Sequence, residues 1–304
     1  MYKMHCALFT DEFFGFQNVT RFLTPEHKIG SELWYNVPIV FGGFFPWSAF
    51  LPVGLWRMVS SIGAARPAEK KAPVFILLWF AVIFVFFSVS STKLPTYIFP
   101  CFVSLALIVG RLWDEFLDAA AAGENIPGMK ASQYLLMAAV ACAMIGGYVF
   151  IMLDSPQILT GAAVCALFLA LGMGLSLAAF IAKKFLATFL FIVYSVGIIT
   201  LPITSLVMPG IDGYESSRPI SKIIMERYRK GDVIGSERDY RPGVAFYTGV
   251  MPVFLSNSVN LNEYVRAGKT VWGVLKRRNI VDGDKRVIYS YGKKCLVTNM
   301  KASR

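Results

Sequence analysis

An α-helical polytopic membrane protein of about six transmembrane helices, followed by a small C-terminal extracytoplasmic α/β domain, is the architecture that this sequence predicts. Three observations predict it. Hydrophobic residues make up 56% of the chain and charged residues only 16%, with a mean hydropathy of +0.55, outside the range of ordinary soluble domains. The apolar residues gather in runs long enough to cross a hydrocarbon core of about 30 Å. From Pro209 onward the chain turns polar and charged. The expected divisions are therefore an extracytoplasmic loop segment (1–34), a transmembrane region (35–208) and an extracytoplasmic accessory domain (209–304).

Spans are expected near 35–56, 73–92, 96–113, 133–153, 158–182 and 185–208. The loop after the first carries Arg57, Arg66, Lys70 and Lys71 against Glu69, and Lys183-Lys184 fill the turn between the fifth and sixth. With six spans, both basic clusters fall on one side, which the positive-inside rule makes cytoplasmic. The acidic loop at 114–131 weighs little in that rule, and the turn Asp154-Ser155-Pro156-Gln157 has no basic residue, as an external turn should. Residues 1–34, the turn at Lys93 and the tail then face outward. Gly146-Gly147, Gly161, Gly172 and Gly174 are expected to let helices approach closely in lipid. Pro202 is expected to kink the sixth span.

In the tail, Ser221–Lys230 has helical spacing with a basic C-terminal end. Short strands are expected at 232–234, 244–247, 253–255 and 286–289, a helix at 260–267, and a strand or helix at 271–278. Tyr240-Arg241-Pro242-Gly243 and Thr248-Gly249 supply turns. No nucleophile elbow, phosphate-binding glycine loop or metal-ligand spacing occurs there. The net charge of +11 lies mostly in this tail. A basic surface near anionic headgroups explains it; the tail has no nucleic-acid-binding motif, so a nucleic-acid partner is not expected.

The first thirty residues hold Lys3, Asp11, Glu12, Arg21, Glu26, His27 and Lys28 and no uninterrupted apolar core, so no cleavable signal peptide is expected. The five cysteines form no CxxC or Cys/His cluster, which supports neither a disulfide framework nor a structural zinc site.

Lys93-Leu94-Pro95-Thr96-Tyr97 lies at the mouth of a helix hairpin, between two almost wholly apolar runs. A lone lysine before a proline turn marks a membrane–water interface. Its ammonium either anchors the helix among headgroups or meets the phosphate of a lipid substrate. Tyr97 is equally a belt tyrosine or a contact to that phosphate, while Trp34, Tyr35 and Trp47 read as interfacial anchors.

A second stretch narrows these alternatives. Asp11-Glu12-Phe13-Phe14-Gly15-Phe16-Gln17-Asn18-Val19-Thr20-Arg21-Phe22-Leu23 is followed by Pro25-Glu26-His27, Trp34-Tyr35 and Phe45-Pro46-Trp47-Ser48. With the Lys93 turn, these segments resemble the C-terminal half of a bacterial polyprenyl-phosphate-sugar-dependent glycosyltransferase of the multi-spanning GT-C type. That family contains the aminoarabinose–lipid A transferases and the dolichyl-phosphate-mannose-type protein mannosyltransferases. The likeness extends well over residues 1–208 and weakly over the tail.

The resemblance implies an inverting transfer from a polyprenyl-phosphate-linked sugar to an acceptor outside the cytoplasm, a lipid such as lipid A, another glycolipid or a protein hydroxyl. It implies residence in the bacterial cytoplasmic (inner) membrane. It places Arg21 and Lys93 near the donor phosphate, with Tyr97 beside them: arginine offers a bidentate fork, lysine a point charge. Family members also show an acidic residue and a histidine that bind a divalent metal, which would correspond to Glu26 and His27. Here Gln17 stands where many relatives have histidine, which weakens the metal assignment. The family's catalytic aspartate lies in an N-terminal region that this sequence does not carry, so no catalytic base is named among its residues. A truncated product, a misplaced start or one half of a split enzyme is expected, one that by itself binds donor poorly and lacks turnover. A missing N-terminal half would then be a partner.

Two other classes compete. A transporter would place ionisable residues inside its spans, and these spans have almost none. A non-catalytic membrane scaffold is the stronger alternative, because it too would lack the catalytic carboxylate.

Overall fold

In a computed structural model of the chain, residues 32–64, 66, 69–91, 93–280, 287–291 and 294–299 are described. They fall into two compact units, one of the residues up to Phe150 together with Ala166–Ile199 and the other of Ile151–Cys165 together with the residues from Thr200 on. Among the described residues, five helices are long and apolar enough to cross a membrane, and a bent helix pair raises that to six if it counts as one span.

The bent pair replaces the straight first span expected at 35–56. Helix α1 (Asn36–Gly43) and helix α2 (Leu51–Ala64) flank a short turn, and the two arms of the pair meet at 110°. Gly42-Gly43 followed two residues later by Phe45-Pro46 explains the break, since the proline ring and its missing N–H prevent α1 from continuing. Helix α3 (Lys71–Val89) is apolar on all sides and exposes Phe75, Leu78, Val82, Val85 and Val89, as a helix facing lipid does.

Helix α4 (Phe99–Ala121) differs. Cys101, Leu105, Ile108, Leu112 and Phe116 form a buried stripe at helical spacing, and 44% of its apolar window is inside the protein against 11% for α3. It is the central helix of its unit. Phe50 and Phe189 pack on Trp113 at 5.1 and 5.3 Å between ring centres. Trp47, expected at the interface, instead packs half-buried against Phe189 at 5.5 Å. Helix α4 also runs eight residues into the segment expected to be an acidic loop. There Glu115 accepts from Arg57 of α2 (2.9 Å) and from Arg111 one turn earlier (2.8 Å). Carboxylate and guanidinium pair along and between the helices, so the charges do not end α4. Arg57, expected in a loop, accordingly lies within α2.

Helices α5 (Met129–Asp154), α6 (Leu159–Ile181) and α7 (Phe185–Pro202) follow. The turn between α6 and α7 closes with Lys184 N–H donating to the Ala179 carbonyl and Lys183 N–H to that of Phe180. This is a six-residue helix-end motif, with Lys183 at φ 58° where glycine is usual. Of the glycines expected to serve close packing, Gly172 lies directly against Ser195 and Gly161 against Leu206 and Val207. Gly146, Gly147 and Gly174 have open space where a side chain would stand. Past Pro202 the chain winds through a π-helical turn (Ile203–Val207) into helix α8 (Met208–Glu215). A proline that withholds its N–H commonly coincides with such a shift in hydrogen bonding.

The tail builds a five-stranded sheet. Helix α9 (Arg218–Arg227) precedes β1 (Val233–Ser236), and helix α10 (Arg241–Thr248) leads to β2 (Val253–Phe254). Helix α11 (Asn262–Arg266) leads to β3 (Val271–Lys276), followed by β4 (Val287–Tyr291) and β5 (Lys294–Thr298). The spatial order is β2-β1-β3-β5-β4. Strand β1 is parallel to both β2 and β3, while β5 is antiparallel to β3 and β4.

Two elements depart from expectation. Residues 244–247, whose Val-Ala-Phe-Tyr composition reads as a strand, belong to helix α10. Pro242 in its first turn and Gly249 at φ 68° beyond its last residue are helix start and stop signals, and Val244 and Thr248 bury one turn apart. Strand β5, not expected at all, is one of the most buried. Strand β3 is buried on both faces: Trp272 and Val274 meet Ile220, Ile224, Tyr240 and Val244 on one, Val271 and Leu275 meet Leu255 and Leu261 on the other.

Candidate functional site at the mouth of a helix hairpin

Helix α3 ends at Val89, and Ser90 turns the chain with its N–H still donating to the Phe86 carbonyl. Pro95 then excludes helical geometry at Leu94, which is extended at φ −121°, ψ 142°. A 3₁₀ turn (Pro95–Ile98) starts α4, with Tyr97 N–H donating to the Leu94 carbonyl at 3.0 Å. Lys93 therefore sits in a short extended link between two apolar helices.

The lysine is more enclosed than an interfacial anchor would be, at 6% exposure. Asn36, Ser88 and Ser90 in the same hairpin mouth are also buried, and Asn36 Nδ2 donates to Ser88 Oγ at 3.2 Å across 52 residues of sequence. Helix α1 touches both α3 and the 3₁₀ turn, so the first arm of the bent pair lies beside this link. Tyr97 is half-buried, its ring 5.4 Å from that of Phe87. Trp34 is exposed at the start of the same segment.

The buried polar groups of this segment are an ammonium, two hydroxyls and a carboxamide, where two apolar helices end. Such a set can hold an oxyanion: the lysine contributes charge and the others short dipoles, in surroundings drier than bulk water. Sequence reasoning singled out Lys93 and Tyr97 but passed over Asn36, Ser88 and Ser90. The signal was present in the polar run Ser88-Val89-Ser90-Ser91-Thr92 at the end of an otherwise apolar span. Arg21, Glu26 and His27 lie outside the described residues. Among the described residues no three His, Cys, Asp or Glu side chains gather as a metal site would require.

With this geometry in view, comparison with known proteins is informative. No family model matches the chain. A curated relative from Proteus mirabilis, named undecaprenyl phosphate-alpha-4-amino-4-deoxy-L-arabinose arabinosyl transferase 1, is 37% identical over 108 residues, 35% of this chain and 18% of the relative. A Yersinia pestis protein named as an arabinosyl transferase of the same kind is 31% identical over 138 residues, 45% of this chain and 23% of that one. Among solved structures, ArnT from Cupriavidus metallidurans bound to undecaprenyl phosphate superposes with a TM-score of 0.64 at 16% identity. That match covers 97% of this chain and 56% of ArnT. The chain has the fold of part of ArnT. Its sequence likeness to the arabinosyl transferases marks it as resembling membrane glycosyltransferases of the GT-C type. The chain spans about a fifth of the curated relatives in the aligned regions and just over half of ArnT by structure. The apolar helices and this shared fold make it an integral membrane protein.

Proposed function

We propose that this chain forms the donor-phosphate side of a bacterial membrane glycosyltransferase that moves a sugar from a polyprenyl phosphate to an acceptor outside the cytoplasm. The observation that carries the reading is the 31–37% identity to undecaprenyl phosphate-aminoarabinose transferases, in a chain whose hairpin mouth encloses a lysine. When the sugar–phosphate bond breaks, negative charge grows on the departing phosphate. A cation already in place and shielded from bulk water stabilises that charge without reorganising at the moment of reaction. Lys93 takes this role, Tyr97 lines the lipid beside it, and Arg21 adds a second cation from earlier in the chain. The basic residues at Arg66, Lys70, Lys71 and Lys183-Lys184 favour an inner-membrane orientation with the hairpin mouth and the tail outside.

The test is binding of undecaprenyl phosphate to the purified chain in nanodiscs, followed by native mass spectrometry. Lys93→Ala is expected to weaken binding by about tenfold or more, and Lys93→Arg to retain most of it. Equal affinity of the wild type and Lys93→Ala would sink the assignment.

A further inference from the structure

The tail buries its large apolar side chains except along one short stretch. From Arg218 onward, the described residues with an exposed large apolar side chain are Met225, Phe246, Tyr247, Met251, Phe254 and Ile288. Four of these six fall within residues 246–254, where helix α10 ends and strand β2 begins. Phe246 is 81% exposed, Met251 71% and Phe254 58%. The rings of Phe246 and Tyr247 meet edge to face at 5.1 Å. Single exposed apolar residues are ordinary on a protein surface, but a local group of them marks a place of interaction.

The local structure holds these side chains outward. Thr248 Oγ donates to the Val244 carbonyl at 2.7 Å and accepts from Val250 N–H at 3.2 Å, which closes the end of α10. Gly249, in left-handed geometry at φ 68°, then turns the chain toward β2. Arg241 Nε donates to the Pro252 carbonyl at 3.0 Å, so the guanidinium lies against the same turn. Pro252 and Leu255 are buried, whereas Met251 and Phe254 face outward. Leu255 N–H donates to the Ser236 carbonyl at 3.0 Å and fixes this end of the stretch to β1.

We infer that this surface docks on an anionic lipid bilayer, with Phe246, Met251 and Phe254 entering the headgroup–acyl boundary and Arg241 meeting lipid phosphate. Three observations select lipid. Residues 240–262 contain one charged side chain, Arg241, and no carboxylate, so nothing on the stretch repels an anionic surface. Asp239, just outside it, is paired with Lys276. Strand β2 is an open edge of the sheet, but it is only two residues long and follows Pro252, which has no N–H to offer a further strand. That edge is a poor template for a strand of another protein. Lastly, the apolar span Phe185–Asp212 ends shortly before α9 begins at Arg218, so the tail is tethered at the bilayer and a modest apolar area is enough to hold it there. Apolar side chains beside a cation are the make-up of a segment lying in the interface, and Tyr247 brings a ring with a hydroxyl suited to headgroup level. The inference does not depend on the transfer reading, because it concerns the tail alone.

The experiment is a spin-label depth measurement on the full chain in nanodiscs of phosphatidylglycerol and phosphatidylethanolamine. Labels are attached singly at Phe246→Cys, Met251→Cys and Phe254→Cys, with Glu263→Cys, exposed on α11, as the reference. The background carries Cys6→Ser, Cys142→Ser and Cys165→Ser; Cys101 and Cys295 are buried. Relaxation by oxygen reports lipid, and relaxation by a water-soluble nickel chelate reports water. The three patch labels are expected about 5–10 Å into the headgroup–acyl boundary, with the reference in water, and to move outward in nanodiscs of phosphatidylcholine alone. Patch labels as open to nickel as the reference would overturn the inference. Labels closed to both relaxants would overturn it too, since protein and not lipid would then cover the patch. Equal depth in phosphatidylcholine would overturn the selection of anionic lipid. Thermal melting checks that each variant is folded, and the remaining positions serve if one is not. Lys93→Ala is expected to leave every depth unchanged, so failure here and failure of the transfer reading are separable.

Discussion

In the membrane region many large apolar side chains point outward, outside the core around α4, and the buried positions include Asn36, Lys93, Ser104, Gln133 and Ser176, whereas in the tail sheet Trp272, Val274, Leu275 and Leu296 are wholly inside. The two arrangements obey one rule under different solvents. Lipid tails are as apolar as leucine, so a helix facing them gains nothing by hiding Phe75 or Val82. What it must satisfy is its polar groups, which turn toward neighbouring helices: Gln133 Nε2 donates to Ser176 Oγ, and that hydroxyl donates to the Thr188 carbonyl. In the tail, water rewards the burial of apolar strand residues, and β3 is covered on both faces.

The sharpest way to break the comparison is to remove one large side chain from each region. Trp272 is fully buried, and its Nε1 donates to Asp232 at 3.1 Å. Trp272→Ala is expected to cost the tail about 3–5 kcal/mol, seen as lost hydrogen-exchange protection in β1, β3 and β5. Phe75→Ala, on the exposed side of α3, removes a ring of similar class with little change in protection anywhere. Equal losses from both would mean that α3 packs against protein and does not face lipid.

A charge placed on each outer surface reverses the ranking. Val82→Arg near the middle of α3 is expected to oppose membrane insertion by about 2.5–3.5 kcal/mol, read from the inserted fraction in a translocation assay. Met251→Arg in the tail, where the native side chain is 71% exposed, should shift stability by no more than about 0.5 kcal/mol.

The same contrast explains what was legible in the sequence. Apolar run length identified the spans because lipid demands it of every crossing helix. Their ends were less legible: nothing in the local composition of Asp114, Glu115 and Asp118 says that a guanidinium 58 residues away will hold Glu115 within a helix. In the tail, β-branched and aromatic residues at 244–247 pointed to a strand, while Pro242 and Gly249, which mark helix ends, proved the stronger signal. Strand β5 escaped notice because Lys294-Cys295-Leu296-Val297-Thr298 follows directly on a basic stretch and shows no turn signal of its own at its end. Lys93 drew attention because a lone cation between apolar runs stands out; Asn36 did not, since its partner Ser88 is supplied by tertiary packing. The ion pair of the tail was hidden for a related reason: Asp239 and Lys276 are brought together by parallel pairing of β1 with β3, which no short motif encodes.

A finer comparison sets the carboxylate pairs of the two regions side by side. Glu115 is held by two arginines that its loss would leave facing each other, and Glu115→Gln is expected to cost about 1–3 kcal/mol. Asp239 is 61% exposed beside Lys276, and Asp239→Asn should cost less than about 1 kcal/mol. The hydrogen bond from Lys276 holds the Asp239 carboxyl below its ordinary value of 3.8, with the lysine's charge acting the same way. A carboxylate with a lowered folded-state pKa contributes its stability above the unfolded value and loses it as pH falls through the folded one. The difference in melting temperature between the wild type and Asp239→Asn should therefore be constant from neutral pH down to about 5, narrow below 4 and vanish in stronger acid. A difference that survives in strong acid would show that the substitution acts through local packing and not through the ion pair.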